Sequence, residues 1–141
     1  MIVLAMVLTV VLTAIAALHA YWGFGGVWPG RDAADCASRT GGFRGARSMP
    51  GPAACFAVAA ALAIAALIPI LLIWQFGMLA MLAGLGVALV FVGRGVAGFT
   101  PAWRRLTPEE PFATLDVRYY SPLCLAIGAG FVALVFREFL S

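Results

Sequence analysis

No Asp, Glu, Lys or Arg occurs in residues 48–93, a run of 46 residues bounded by Arg47 and Arg94. A hydrocarbon core of roughly 30 Å takes about 20 apolar residues per helical span. The run is therefore too long for one helix and fits two, joined by a tight turn at Trp74, Gln75, Phe76 and Gly77. Two more apolar runs flank it. Residues 1–22 carry no charge apart from the titratable His19, and residues 122–140 are apolar until Arg137 and Glu138. The pattern predicts an all-α fold: one domain over 1–141, an integral membrane bundle of four transmembrane helices at about 2–22, 52–74, 76–99 and 122–140, with loops at about 23–51 and 100–121.

Local signals refine these limits. No basic residue precedes the first apolar run, and the small triplet Ala14-Ile15-Ala16 lies inside it rather than after it, so the run reads as a retained helix and not as a cleaved signal. Pro52 after Gly51 suits the first position of the second helix, since proline there forfeits no intrahelical hydrogen bond. Ser121 followed by Pro122 predicts an N-cap and first position for the fourth. Thr107-Pro108-Glu109-Glu110 has the spacing of a capping box, which predicts a short surface helix over 108–116. In the long first loop, residues 23–29 mix aromatics with glycines and are expected to be ordered, whereas residues 39–49 have little to bury and are expected to be mobile.

Composition agrees with the pattern: 64% of residues are hydrophobic, 11% are charged, and the mean hydropathy is +1.03, outside the usual range of a water-soluble domain. All nine basic residues are Arg, and seven fall in the two loops, Arg31, Arg39, Arg44 and Arg47 in the first and Arg104, Arg105 and Arg118 in the second. With four spans these loops share a side. Short Arg-rich loops stay in the cytoplasm, which predicts a multi-pass protein of the cell inner membrane with cytoplasmic loops and both termini outside. The net charge of +3 then needs no nucleic acid partner. Cys36, Cys55 and Cys124 lie on the reducing side in this orientation, so no disulfide is expected, and the lack of a Cys-x-x-Cys pair weighs against a membrane thiol oxidoreductase.

Small residues at four-residue spacing, Ala80, Gly84 and Ala88 in the third helix and Ala57, Ala61 and Ala65 in the second, predict helix contact faces. Pro69 is expected to bend the second helix. His19, the only histidine, sits near the loop end of the first helix, where an ionisable group reads either as functional or as an imidazole hydrogen-bonded to another helix or to interfacial water. Arg94, flanked by Gly93 and Gly95, reads as a site residue or as a side chain snorkelling to headgroups. Tyr21, Trp22, Trp28, Trp103, Tyr119 and Tyr120 crowd the same side and suit an aromatic belt. The sharper expectation is one ligand pocket lined by His19, Tyr21, Trp22, Arg94, Asp116 and Tyr120. Two helix N-termini and the arginines at that face would favour an anionic group. One histidine cannot ligate haem from both sides, the Cys and His residues show no metal-site spacing, and no phosphate-binding loop, nucleophile elbow or paired-acid motif occurs; no cofactor and no metal are expected.

The segments His19-Ala20-Tyr21-Trp22, Gly93-Arg94-Gly95 and Tyr119-Tyr120-Ser121-Pro122-Leu123-Cys124 resemble those of a bacterial family of small four-helix integral membrane proteins, domain-of-unknown-function family 3995, over nearly the whole chain. The resemblance implies the fold and brings no activity or site residues with it. Three function classes follow from the residues. The first is a module holding an anionic lipid, isoprenoid-like amphiphile or other small hydrophobic ligand at the cytoplasmic interface. The second is an enzyme using His19 as acid or base on a lipid-soluble substrate. The third is an accessory subunit of a membrane complex or a homo-oligomer, favoured if small-residue stripes stay exposed after the helices pack. Transport is disfavoured because the spans hold almost no internal charge.

Overall fold

The structure, a computed structural model, describes every residue except Phe76 and Ser141, and of Glu138 it describes the backbone alone. Its elements are α1 (Ile2–Gly23), α2 (Ala33–Thr40), α3 (Pro52–Ile73), α4 (Met78–Ala97), α5 (Pro101–Leu106), α6 (Phe112–Leu115), a wide π-turn (Asp116–Tyr120) and α7 (Ser121–Leu140). Among the described residues there is no strand, and four helices are long and apolar enough to cross a membrane. The turn expected at Trp74, Gln75, Phe76 and Gly77 falls between the end of α3 at Ile73 and the start of α4 at Met78; of its residues Phe76, also the first expected of the third span, lies outside the described residues. Beside it Gly77 takes φ +77°, a conformation that a residue without Cβ adopts without strain.

Helix α1 packs along α3 and α4 along α7, and α3 touches both α4 and α7 to close the bundle. Leu8, Leu12, Leu72, Phe131 and Leu134 fill the centre, while Val3, Val10, Ile64, Leu67, Leu79, Leu82 and Leu89 point outward, as lipid solvation requires. Within the apolar region Thr9 Oγ1 donates to the Ala66 carbonyl at 2.9 Å and ties α1 to α3. Ala80, Gly84 and Ala88 are all buried, and a Cβ on Gly84 would stand 2.9 Å from Val135 Cγ2. Of the stripe expected in α3, Ala65 is buried, whereas Ala57 and Ala61 are exposed and the inward line runs through Cys55, Ala59, Leu62, Ala66 and Pro69. It follows the alternating steps of four and three that face α1, so periodicity along one helix could not by itself fix the face.

Three expectations for the loop side are corrected. First, Thr107 does not open a capping box. It is fully buried and its Oγ1 donates to the Trp103 carbonyl at 3.0 Å, closing α5, while Glu110 accepts from the Thr114 backbone and hydroxyl to start α6 at Phe112. Second, residues 39–49 are held. Glu109 N donates to the Gly42 carbonyl at 3.1 Å, Arg44 N to the Leu106 carbonyl at 3.2 Å, and Gly45 N to Glu109 Oε1 at 3.1 Å, so backbone pairing replaces the missing apolar burial. The loop also contains α2, started by Asp32, whose side chain accepts from Asp35 N at 2.8 Å. Third, Ser121 is not an N-cap, because the helix runs unbroken from α6 through the π-turn into α7. Pro122 has no N–H and its ring crowds the preceding turn, which the wider π-turn accommodates.

Candidate functional site

That π-turn has a chemical consequence. Ser121 N donates to the Asp116 carbonyl, five residues back, and the two side chains then meet, Ser121 Oγ donating to Asp116 Oδ1 at 3.0 Å. Asp116 is 0% exposed. Its Oδ1 also accepts from Arg94 Nη2 of α4 at 2.7 Å, and its Oδ2 accepts from Trp103 Nε1 of α5 at 2.9 Å and from Arg104 Nη2. Two carboxylate oxygens offer about four acceptor sites, and four donors occupy them. The Arg94 guanidinium lies over the Trp103 indole, 4.5 Å from its centroid, and reaches Ser121 Oγ with Nη1 at 3.3 Å. Arg104 sends Nη1 to the Ala113 carbonyl at 2.7 Å, and its buried Nε has no hydrogen-bond partner among the described residues. Gly98 makes this convergence sterically feasible: a Cβ there would overlap Ser121 Oγ.

The Arg94–Asp116–Arg104 centre thus joins α4, α5 and the head of α7. With its lone pairs engaged, Asp116 has no free acceptor with which to abstract a proton, so its chemistry here is that of a brace.

A separate cleft of about 470 Å³ opens where α2 and residues 41–50 lie across the loop ends of α1 and α3. His19, Trp22, Thr40, Phe43, Met49 and Val58 are among its lining residues, and none of the lining residues is acidic. The His19 ring meets the Trp22 ring edge-on at 4.9 Å. Its Nδ1 lies 2.9 Å from the Ile15 carbonyl, which can only accept, so Nδ1 carries a proton and Nε2 is left without a hydrogen bond among the described residues. The Trp22 indole N–H is occupied by the Trp28 carbonyl at 2.7 Å, and the Thr40 hydroxyl faces the Cys36 carbonyl and Met49 Sδ.

The six residues expected in one pocket are therefore distributed. Arg94 and Asp116 are paired in the brace, and His19 and Trp22 line the cleft. Tyr120 stands between the two, its hydroxyl donating to the Arg39 carbonyl at 3.1 Å and its ring 5.7 Å from Phe112. Tyr21 is exposed, its hydroxyl accepting from Trp28 N at 3.4 Å. Sequence reasoning missed Trp103, Arg104 and Ser121 as partners of Asp116, having assigned them to the belt, the loop charge and a cap. The available signal was Asp116 itself, an acid one turn ahead of an apolar span in an Arg-rich loop, which burial obliges to find cations and hydroxyls. Among the described residues no three His, Cys, Asp or Glu side chains are grouped to hold a metal ion.

Four spans, outward-facing apolar surfaces and a loop face closed by two arginines on a buried aspartate define a multi-pass helical membrane protein. The family model described as Protein of unknown function (DUF3995) matches residues 12–131, a stretch that contains both the brace and the cleft, and the chain belongs to that family. No curated protein and no solved structure matches it.

Proposed function

We propose that the protein is a membrane-interface binding module that holds an anionic amphiphile, a lipid or an isoprenoid-like molecule, in the cleft under α2, with the arginine-rich loops on the cytoplasmic side of the cell inner membrane. The observation that carries this reading is the cleft: apolar walls, one imidazole with an uncommitted nitrogen, no acid, and a position at the loop ends of two spans. Its volume falls within the roughly 300–1,000 Å³ common for small-molecule sites. The wall segment 41–50 carries Arg44 and Arg47 against one facing carboxylate, Glu109 at Gly45 N, so the local balance is positive and favours a negative head group. The orientation follows from the seven loop arginines.

Native mass spectrometry of the detergent-purified protein beside an Ala54→Phe, Val58→Phe variant, which narrows the cleft, tests the proposal. A defined mass on the parent that is missing from the folded variant is the expected result. Bulk lipid alone on both would end the reading.

One observation favours a second reading, an accessory subunit or homo-oligomer. Ala57 and Ala61 of α3 and Gly86 and Gly93 of α4 remain exposed after the four spans have packed, and a Cβ on either glycine would meet nothing. A parent protein that runs as a monomer in several mild detergents would count against it.

A further inference from the structure

Resting on the binding reading above, we infer that the cleft ligand is a single-chain amphiphile with a carboxylic acid head, of the long-chain fatty acid class, and that His19, Ser48 and Arg47 bind that head. The volume argues for one chain, since about 470 Å³ is toward the lower part of the range for one drug-sized molecule and gives a two-chain phospholipid no room. The head group follows from counting which polar groups are still uncommitted.

Of the polar side chains on the wall, Thr40 is engaged with Cys36 and Met49, Trp22 with Trp28, and Cys55 with the Pro50 carbonyl. His19 Nε2 and the Ser48 hydroxyl make no hydrogen bond among the described residues. The nearby cations divide in the same way. Arg39 is paired with Asp35, and Arg44 reaches the Arg105 carbonyl at 3.3 Å. Arg47 lies in the chain between Ala46 and Ser48, both of which line the cleft; it is exposed, and among the described residues no hydrogen bond or ion pair engages it. Among the described residues around the cleft, one cation and two polar groups are without a hydrogen bond or ion pair, which matches a head with one charge and two oxygens; Arg44 keeps its charge but is turned to the Arg105 carbonyl. A phosphate monoester, with a charge near −2 and three terminal oxygens, would be left under-satisfied.

The imidazole sharpens the match. With Nδ1–H committed to the Ile15 carbonyl, neutral His19 presents only a lone pair at Nε2. A carboxylic acid and this nitrogen share one proton whichever of them holds it: the acid O–H donates to Nε2, or Nε2–H donates to the carboxylate. An ester of the same chain has no such proton, so its oxygens would face the lone pair.

The test uses the full-length protein in detergent and three probes: a long-chain fatty acid, its methyl ester and a two-chain phosphatidic acid. Each is scored by native mass spectrometry across a concentration series. The acid is expected to bind at least about tenfold more tightly than the ester and the phosphatidic acid. His19→Gln, Ser48→Ala and Arg47→Gln should each weaken the acid by about tenfold, the low end for a hydrogen bond to a charged group, and leave the ester unchanged. Ser48 and Arg47 are exposed, so folding defects are not expected of their variants. Equal binding of acid and ester, or acid binding untouched by all three variants, overturns the head-group assignment while the cleft reading stands. Acid binding that survives Ala54→Phe, Val58→Phe in full overturns both.

Discussion

Replacing Asp116 by Asn removes one charge from between two guanidiniums and keeps the shape. The asparagine oxygen can still accept, but its amide nitrogen presents two N–H groups where the carboxylate accepted two hydrogen bonds, so either Trp103 and Arg104 face a donor, or Arg94 does while the Ser121 hydroxyl turns to accept. Breaking a buried ion pair by removing one partner costs about 3–5 kcal/mol, chiefly because the remaining charge is left uncompensated. Here two charges are left, but the Arg94 and Arg104 side chains keep 29% and 25% exposure, so water relieves part of the cost and about 3 kcal/mol is the better figure. Arg94→Gln is milder, about 1.5–3 kcal/mol, since Asp116 keeps Arg104, Trp103 and Ser121. At about 2–4 °C per kcal/mol for a chain of this size, Asp116→Asn should lower the midpoint by roughly 10 °C, read as loss of the monodisperse peak after heating in detergent. Arg94→Gln placed on top of Asp116→Asn should cost less than it does alone, since it then removes an unpaired cation. A midpoint for Asp116→Asn within about 2 °C of the parent, or a larger loss from Arg94→Gln than from Asp116→Asn, would refute the brace.

Two further outcomes are expected. Gly98→Ala places a Cβ onto Ser121 Oγ and should push that hydroxyl off Asp116, at a cost of about 1–3 kcal/mol, measurable in the same heating assay; an unchanged midpoint would mean that α4 and α7 can separate freely. Cys36 is 0% exposed and burial pushes its thiol above the ordinary value, so at neutral pH a maleimide should modify it slowly until the protein is denatured, whereas rapid labelling in the folded state would show α2 lifting from the bundle.

The four spans were legible because lipid imposes a length and a lack of charge that can be read one residue at a time. The loop side was not, because its order comes from pairings between distant segments. Residues 39–49 read as mobile for want of apolar side chains, yet their backbone groups bond to Leu106 and Glu109, partners that sequence spacing does not indicate. Ser121-Pro122 read as a helix start because that rule assumes a free end, whereas a preceding helix was joined to it through a π-turn. The candidate residues fared in the same way: that they gather at one end of the bundle followed from the order of the spans, but which of them touch depended on the one-residue widening of the π-turn before α7.

The brace and the cleft are mechanically connected, although they share no residue. Arg104 holds α6 through the Ala113 carbonyl, and Phe112 of α6 is buried against Gly42, where a Cβ would overlap the ring. Gly42 takes φ +61° and sits between Gly41 and Phe43, two residues of the cleft wall. Tyr120, its ring tilted against Phe112, holds the Arg39 carbonyl at the end of α2. Phe112 thus carries the position of the brace to the roof of the cleft while touching no ligand. Phe112→Ala removes a buried aromatic side chain, about 3–5 kcal/mol if the site cannot collapse, and should loosen residues 41–50 more than the spans. Hydrogen exchange should therefore rise in α2 and residues 41–50 and stay low in α3 and α7, with ligand retention falling in parallel. Faster exchange spread evenly over all four spans would instead place Phe112 in the general stability of the bundle and break the link between brace and cleft.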